Sequence, residues 1–542
     1  MISTPSLTLW KSCVVLERKI AVCRVLCNVL LCRAVCWSSV SLAAVAVFTV
    51  YAAGPSHAQT RCDVKAHPSW TPPEIAAWEQ LCVGQWADFG TTEQVPHPSK
   101  PAGWNSEREL RSAFIERLMT DDDYVKAIDR HGIRLKSALF REVIDIESAD
   151  APFPLRCQNC RIRGINGDEF VGGTLDLRGS TITHDINLTG AKIGGQLLLS
   201  RGTEVYGVLN ADRATILGNA ALREGSSFRD IDLTSADIGG QLNLSDGSAV
   251  AGAIKADRVN VHDSIFMRDG SVFSAVLLRG ANVGGALSLS GGVVVSGTVY
   301  ADRVTVAGSV FLRDGSTFED VRLLGADIGG WMILNRANWA DGAAIDLRDA
   351  HIGGLWVDAA PDRWPNEMSL DGLTYDSWVA PKPASVDAAW FIDWLDRLVD
   401  FSPSPYDQLA SVLDAQGYPD IATDVRYQSR ALEHYRSRGL DWASRGLHWI
   451  VLGYGLRPWR ALLCFVTIWF VGFMVLRNDD RWHPREAAIY SLDRLLPAVE
   501  LADRDFPKQT AVAQFWMLVQ QVLGWVLTLF IVAWLGGLLV QG

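Results

Sequence analysis

Two cysteines in "LRCQNCRI" are the first residues of this 542-residue chain whose spacing could do chemistry. Cys157-x-x-Cys160 fits a short disulfide, a dithiol redox pair, or two thiols packed in a core. No strand–helix–strand pattern surrounds the pair, and no His follows it, so neither a thioredoxin-like centre nor haem attachment is indicated. Cys62 and Cys82 flank a helical stretch and form a candidate disulfide across it.

Charged pairs are the second candidate. Asp212-Arg213, Asp257-Arg258 and Asp302-Arg303 recur 45 residues apart within "ADR". A surface carrying them could bind a polyanion or a glycan, whereas opposite charges along a solvated face need no ligand at all. Asp257 and Asp302 could also act as acid and base on a polysaccharide, which needs carboxylates roughly 5–9 Å apart. Other enzyme signatures are missing. The chain has no G-x-G-x-x-G between a strand and a helix, no H-E-x-x-H and no G-x-S-x-G. The ten histidines are scattered, and His262 in "VNVHDSIF" reads as a turn or face residue. No catalytic, cofactor-binding or metal residues are therefore expected, and no cofactor. A net charge of −11 without a basic run argues against a nucleic-acid partner, and interspersed arginines argue against an acidic duplex mimic.

A repeat must position these residues. "GAKIGG" starts at 190, "SADIGG" at 235, "GANVGG" at 280 and "GADIGG" at 325, each 45 residues after the last. Apolar residues come in short alternating pairs, such as Val304/Val306 and Val321/Leu323, between Gly, Asp and Ser. Short strands, frequent turn signals and a fixed period predict a mainly β fold: a parallel, pentapeptide-like β-solenoid with coils about 4.8 Å apart. The 45 residues then make two coils, expected at roughly 20 and 25 residues. In "ADIGG" the Ile points inward and the Gly pair turns a corner where no Cβ fits.

The coils are expected over 132–379. Open solenoid ends need caps. A helical N-terminal cap is expected over 59–131, where Thr71-Pro72-Pro73-Glu74 has the form of a capping box. A helical cap and spacer follows over 380–446, and a two-helix transmembrane hairpin over 447–542, with spans at 459–476 and 522–540. Between the spans, "AAIYSLDRLLPAVEL" is amphipathic and could lie on the membrane surface. Residues 1–58 read as a signal or targeting segment, with an apolar run from Val40 to Ala53 before Ser56-His57-Ala58 and a true start nearer Val29, the alternative being an uncleaved membrane anchor. Arg477, Arg481, Arg485, Arg494, Arg504 and Lys508 in the loop between the spans, set against Arg445, Arg457 and Arg460 before the first span, favour a cytoplasmic loop with the solenoid outside.

Several stretches together carry a resemblance: "PPEIAAWEQLCVGQWADF", "SAFIERLMTDDDYVKAIDRHGIRL", "FLRDGSTFEDVRLLGADIGG", "FSPSPYDQLASVLDAQGYPDIA" and "YSLDRLLPAVEL". Across 70–542 the chain resembles uncharacterised bacterial membrane proteins with a pentapeptide-repeat-like β-solenoid and a C-terminal transmembrane hairpin. Members are sometimes labelled membrane-associated oxidoreductase. The resemblance implies the bacterial inner membrane and brings no catalytic residues with it. Gln241 and Trp331 depart from a strict pentapeptide pattern. The expected function is a membrane-anchored, outward-facing scaffold or interaction module of the cell envelope, with an envelope protein or a glycan as partner. The alternatives are a membrane-associated enzyme and a membrane sensor or transport accessory.

Overall fold

In the N-terminal region the starts of two short helices meet at one buried carboxylate. The computed structural model describes residues 63–90, 96–379, 387–457, 459–496 and 507–535, so residues 1–58, expected to be a signal or targeting segment, and Cys62 lie outside the described residues. Helices α1 (Pro72–Leu81), α2 (Ser112–Thr120) and α3 (Asp122–Ala127) precede the first coil. Glu74 is fully buried and accepts the backbone N–H of Thr71 at 2.7 Å, closing the start of α1. Its other oxygen accepts both the backbone N–H (3.0 Å) and Nε (2.9 Å) of Arg111. Trp70 packs edge-on against Trp78 and Phe114, with Tyr124 beside it, which accounts for the aromatic richness of this stretch.

Burial by itself would push the Glu74 carboxyl up. The hydrogen bonds from Arg111 and from the Thr71 and Arg111 backbone outweigh it and hold the group below the usual range. A depressed carboxyl contributes stability above its unfolded pKa and loses that contribution as pH falls through its folded value. Glu74→Gln is therefore expected to cost about 2 kcal/mol at neutral pH, with the difference from the parent closing under acid. Thermal unfolding in detergent at several pH values measures this, and a gap that does not change with pH would contradict the charge argument.

From Ile133 to Val379 the chain coils through about 11 turns, all pairing in parallel. Thr215 pairs with Asp237, and the column continues through Asn260, Asn282, Thr305 and Asp327. The coils are thus alternately 22 and 23 residues long, by difference of those numbers, and not roughly 20 and 25. Beside this column, Ile216, Ile238, Val261, Val283, Val306 and Ile328 stack inward, all fully buried. Burying a β-branched ladder of this kind contributes roughly 2 kcal/mol per side chain.

Near-equal coils leave the two-coil period to be explained by side-chain size. In outward columns large and small residues alternate. Phe266, Ser288 and Phe311 are register partners, as are Arg268, Ser290 and Arg313. At one corner Gly239 lies over Leu217, Gly284 over His262 and Gly329 over Ala307. A Cβ on Gly239 would stand 2.4 Å from the Leu217 carbonyl oxygen, and one on Gly284 2.3 Å from that of His262. The glycines of "IGG" are needed for this close stacking of backbone on backbone, because none of them has a positive φ.

The far end is closed by α4 (Ala388–Leu395), α5 (Pro403–Ala415) and α6 (Pro419–Arg436). Trp378 of the last strand meets Trp390, Phe391 and Trp394. Side-chain amides of Gln408 and Gln416 donate to the carbonyls of Tyr375 and Trp378 at 2.7 and 2.8 Å. These bonds occupy acceptors that an open sheet edge would offer to another strand. Four helices follow: α7 (Leu440–Leu452), α8 (Trp459–Arg477), α9 (Pro484–Leu495) and α10 (Ala511–Leu535). Helices α8 and α10 are long and apolar enough to cross a membrane.

Helix α9 differs from the expected surface helix. It packs between α8 and α10, where Ser491 donates to the Trp469 carbonyl (2.9 Å) and Trp469 Nε1 donates to that of Ala488 (3.0 Å). Gln520, fully buried on α10, donates to the Ser491 carbonyl at 2.6 Å and to its hydroxyl at 2.9 Å. An apolar stripe suits a groove between two helices as well as a lipid surface, so amphipathicity could not separate the two. The polar partners decide it.

Candidate functional site

Cys157 and Cys160 are both fully buried, with free thiols. Cys157 is the register partner of Leu135 in the coil before. One coil on, the pairing of Leu155–Arg156 with Leu175–Asp176 carries Cys157 onto the buried Leu177. The backbone N–H of Cys160 donates to Ser180 Oγ at 2.9 Å. Ser180 begins a corner ladder of buried hydroxyls that continues through Thr203, Ser226, Ser248 and Ser271. Cys-x-x-Cys is therefore the local form of the Leu-x-x-Ser that closes the next coil.

The hydrogen bond that the Cys157 thiol donates to Cys160, and then burial, push the Cys157 thiol well above the ordinary range. Thiol–disulfide exchange proceeds through an accessible thiolate, and this environment opposes one. Both cysteines are expected to resist a maleimide until the protein unfolds. Cys157→Leu with Cys160→Ser, which copies the next coil, should leave stability within about 1 kcal/mol of the parent. Rapid labelling of the native protein would overturn this structural reading.

Arg213, Arg258 and Arg303 stand in one corner column, with φ of 54°, 55° and 54°. Ser235, Gly280 and Gly325 occupy the intervening coils in the same left-handed conformation. Asp212, Asp257 and Asp302 line up beside them, but their cations come from different columns. Asp212 lies 3.2 Å from Arg213, whereas Asp257 accepts the Arg279 backbone N–H at 2.9 Å and lies 3.5 Å from its guanidinium. Asp302 faces Arg322 at 3.8 Å. Arg279 and Arg322 also lie against the Tyr300 ring, at 4.9 and 5.6 Å from its centre. Each carboxylate of the candidate hydrolytic pair thus has a guanidinium nitrogen within 4 Å.

His262 sits on the exposed corner, with Nε2 3.0 Å from Asp237 and 2.9 Å from the Asn260 amide. Among the described residues no group of three or more His, Cys, Asp or Glu is arranged to hold a metal ion. A polar cleft of about 390 Å³ lies between the stretches around Asp88 and His97 and the first coils, lined by Asp88, His97, Lys136, Asn159 and Arg201 among others. Asp88 is engaged there by Lys136 at 3.4 Å.

Sequence reasoning missed a buried clip. Asp176 is inaccessible to solvent and takes two hydrogen bonds from the Arg178 guanidinium, at 2.8 and 2.7 Å, and a third from Gln158 at 2.7 Å. Burial raises its carboxyl, but the Arg178 and Gln158 hydrogen bonds prevail and hold it below the usual range. Asp346 and Arg348 repeat the same two-pronged contact. The signal was "DLR", present at both sites. Both clips fix a turn of the coil. Asn166, Asn187 and Asn210 form a second missed feature, an amide ladder with contacts of 3.4 and 3.5 Å.

No family model matches the chain, no curated protein does, and no solved structure does.

Proposed function

We propose that this chain is a membrane-anchored scaffold of the bacterial cell envelope. In this reading α8 and α10 span the inner membrane as a hairpin, and the solenoid stands on the extracytoplasmic side as a rigid surface for an envelope protein or glycan. One observation carries the reading. An unbroken solenoid of about 11 turns, closed by helices at both ends, leads through α4–α6 into two apolar helices. At about 4.8 Å per coil it offers flat faces some 50 Å long. The paired acids, the interlocked arginines and the buried thiols all serve the stack itself. Solenoids of this kind act through such extended surfaces, not through a pocket.

The test is purification from native membranes in mild detergent, with an absorption spectrum and mass spectrometry of what co-elutes. A colourless preparation carrying one recurrent envelope component at fixed stoichiometry is the expected result. A stoichiometric coloured cofactor would replace the scaffold with an enzyme.

A further inference from the structure

Helix α7 wears its amphipathicity inside out. Leu440, Trp442, Leu447, Trp449 and Ile450 are 90 %, 56 %, 50 %, 42 % and 55 % exposed. At 100° per residue they fall on one side of the helix, while Asp441, Ser444, Arg445 and His448 share the other. On the polar side Arg445 and His448 are tied to protein, and on the apolar side Trp442 lies against the His434 ring of α6 at 5.7 Å, leaving Leu440, Leu447 and Ile450 as the unpartnered apolar residues. Arg445 forms an ion pair with Glu433 of α6, and the His448 ring stacks edge-on against Phe530 of α10 at 5.4 Å. Val451 and Leu452 pack with Ala461 and Leu527. These contacts prevent α7 from rolling its apolar side inward.

We infer that α7 is an in-plane interfacial helix, its apolar side sunk into the boundary between headgroups and acyl chains. The inference rests on the reading of α8 and α10 as membrane spans. Lipid is the occupant because the exposed side continues into the outward faces of those helices. Its last turn packs on Ala461, in the first turn of α8, where Trp459, Leu462 and Leu463 are exposed in turn. Helix α7 therefore lies at the level where the span begins. Trp442 and Trp449 are the residue type enriched at that depth, and Trp449 places its Nε1 on Tyr427 Oη at 2.8 Å. Arg438 and Arg460, with long apolar stems, flank the helix and suit the headgroup layer. A helix of 13 residues held flat in this way would fix the angle at which the solenoid leaves the membrane.

The test uses the full chain in phosphatidylcholine–phosphatidylglycerol vesicles. A fluorescent non-natural amino acid replaces Leu447, Ile450, Ser444 or Val466, one at a time, and the lipids carry nitroxide either near the headgroup or deep in the chain. Shallow nitroxide should quench positions 447 and 450 severalfold more than 444, while deep nitroxide quenches 466. If 466 is quenched by deep label and 447 and 450 respond no more than 444, the inference fails while the spans stand. A second copy of the chain covering α7 would give that result. If 466 is not quenched either, the membrane reading fails and takes this inference with it.

Discussion

Gly284→Leu is expected to destabilise the solenoid by about 3 kcal/mol, whereas Ala307→Leu, at the same place one coil on, should cost under about 1 kcal/mol. The contrast follows from the alternation along this corner. Gly284 rests on the His262 carbonyl, and a Cβ there would meet that oxygen at 2.3 Å. The obstacle is backbone within a hydrogen-bonded stack, so relief requires two coils to part. Ala307 belongs to the other class of coil, whose equivalents carry the side chains Leu217 and His262. Each coil of a solenoid leans only on its neighbours, so the damage should stay local. Hydrogen exchange should accelerate in the coils on either side of 284 and remain slow in the capping helices. Equal losses for the two leucine variants would show that the alternation has no energetic basis.

The same alternation explains what could be read in the chain beforehand. Repeated hexamers at 190, 235, 280 and 325 state a period directly, and alternating apolar pairs state a strand, so the solenoid was open to inference. Division into five-residue groups then misplaced the coil boundary. A 45-residue repeat is compatible with any split, and only the hydrogen-bond register distinguishes 20 plus 25 from 22 plus 23. The size rule was present in "FMR", "LSLS" and "FLR". It becomes visible only once those segments are known to stack.

Candidate chemistry was less legible for a related reason. Cys157-x-x-Cys160 has a suggestive spacing in one dimension, yet its meaning depends on Leu135, Leu177 and Ser180, which lie about one coil away. Asp257 and Asp302 looked like a matched pair because the arginines that occupy them, Arg279 and Arg322, sit 22 and 20 residues further on, by difference of those numbers. By contrast the clip of Asp176 and Arg178 spans two residues, and a rule for short Asp-x-Arg turns would have found it.

The position of α9 leads to the other large effect. Gly524 of α10 faces the last turn of α9, and a Cβ there would lie 2.0 Å from the Leu495 carbonyl oxygen. Gly472 of α8 gives way in the same manner to the Gln520 side chain, again at 2.0 Å. Small residues let the backbones of neighbouring helices touch. Gly524→Leu should therefore push α9 out of the groove. The Gln520–Ser491 and Trp469–Ala488 hydrogen bonds would go with it, at a total cost of about 3 kcal/mol. Hydrogen exchange over 484–495 in detergent should then rise to the rate of the preceding loop. Val522→Leu, on the outward side of the same helix, provides the control, since Val522 is exposed. A helix merely resting on the bilayer surface would exchange alike in both variants, and that outcome would return α9 to the surface position its amphipathic pattern suggests. Faster exchange in Gly524→Leu alone would mean that α9 packs between α8 and α10, because only a helix already packed there can be displaced by a side chain on α10.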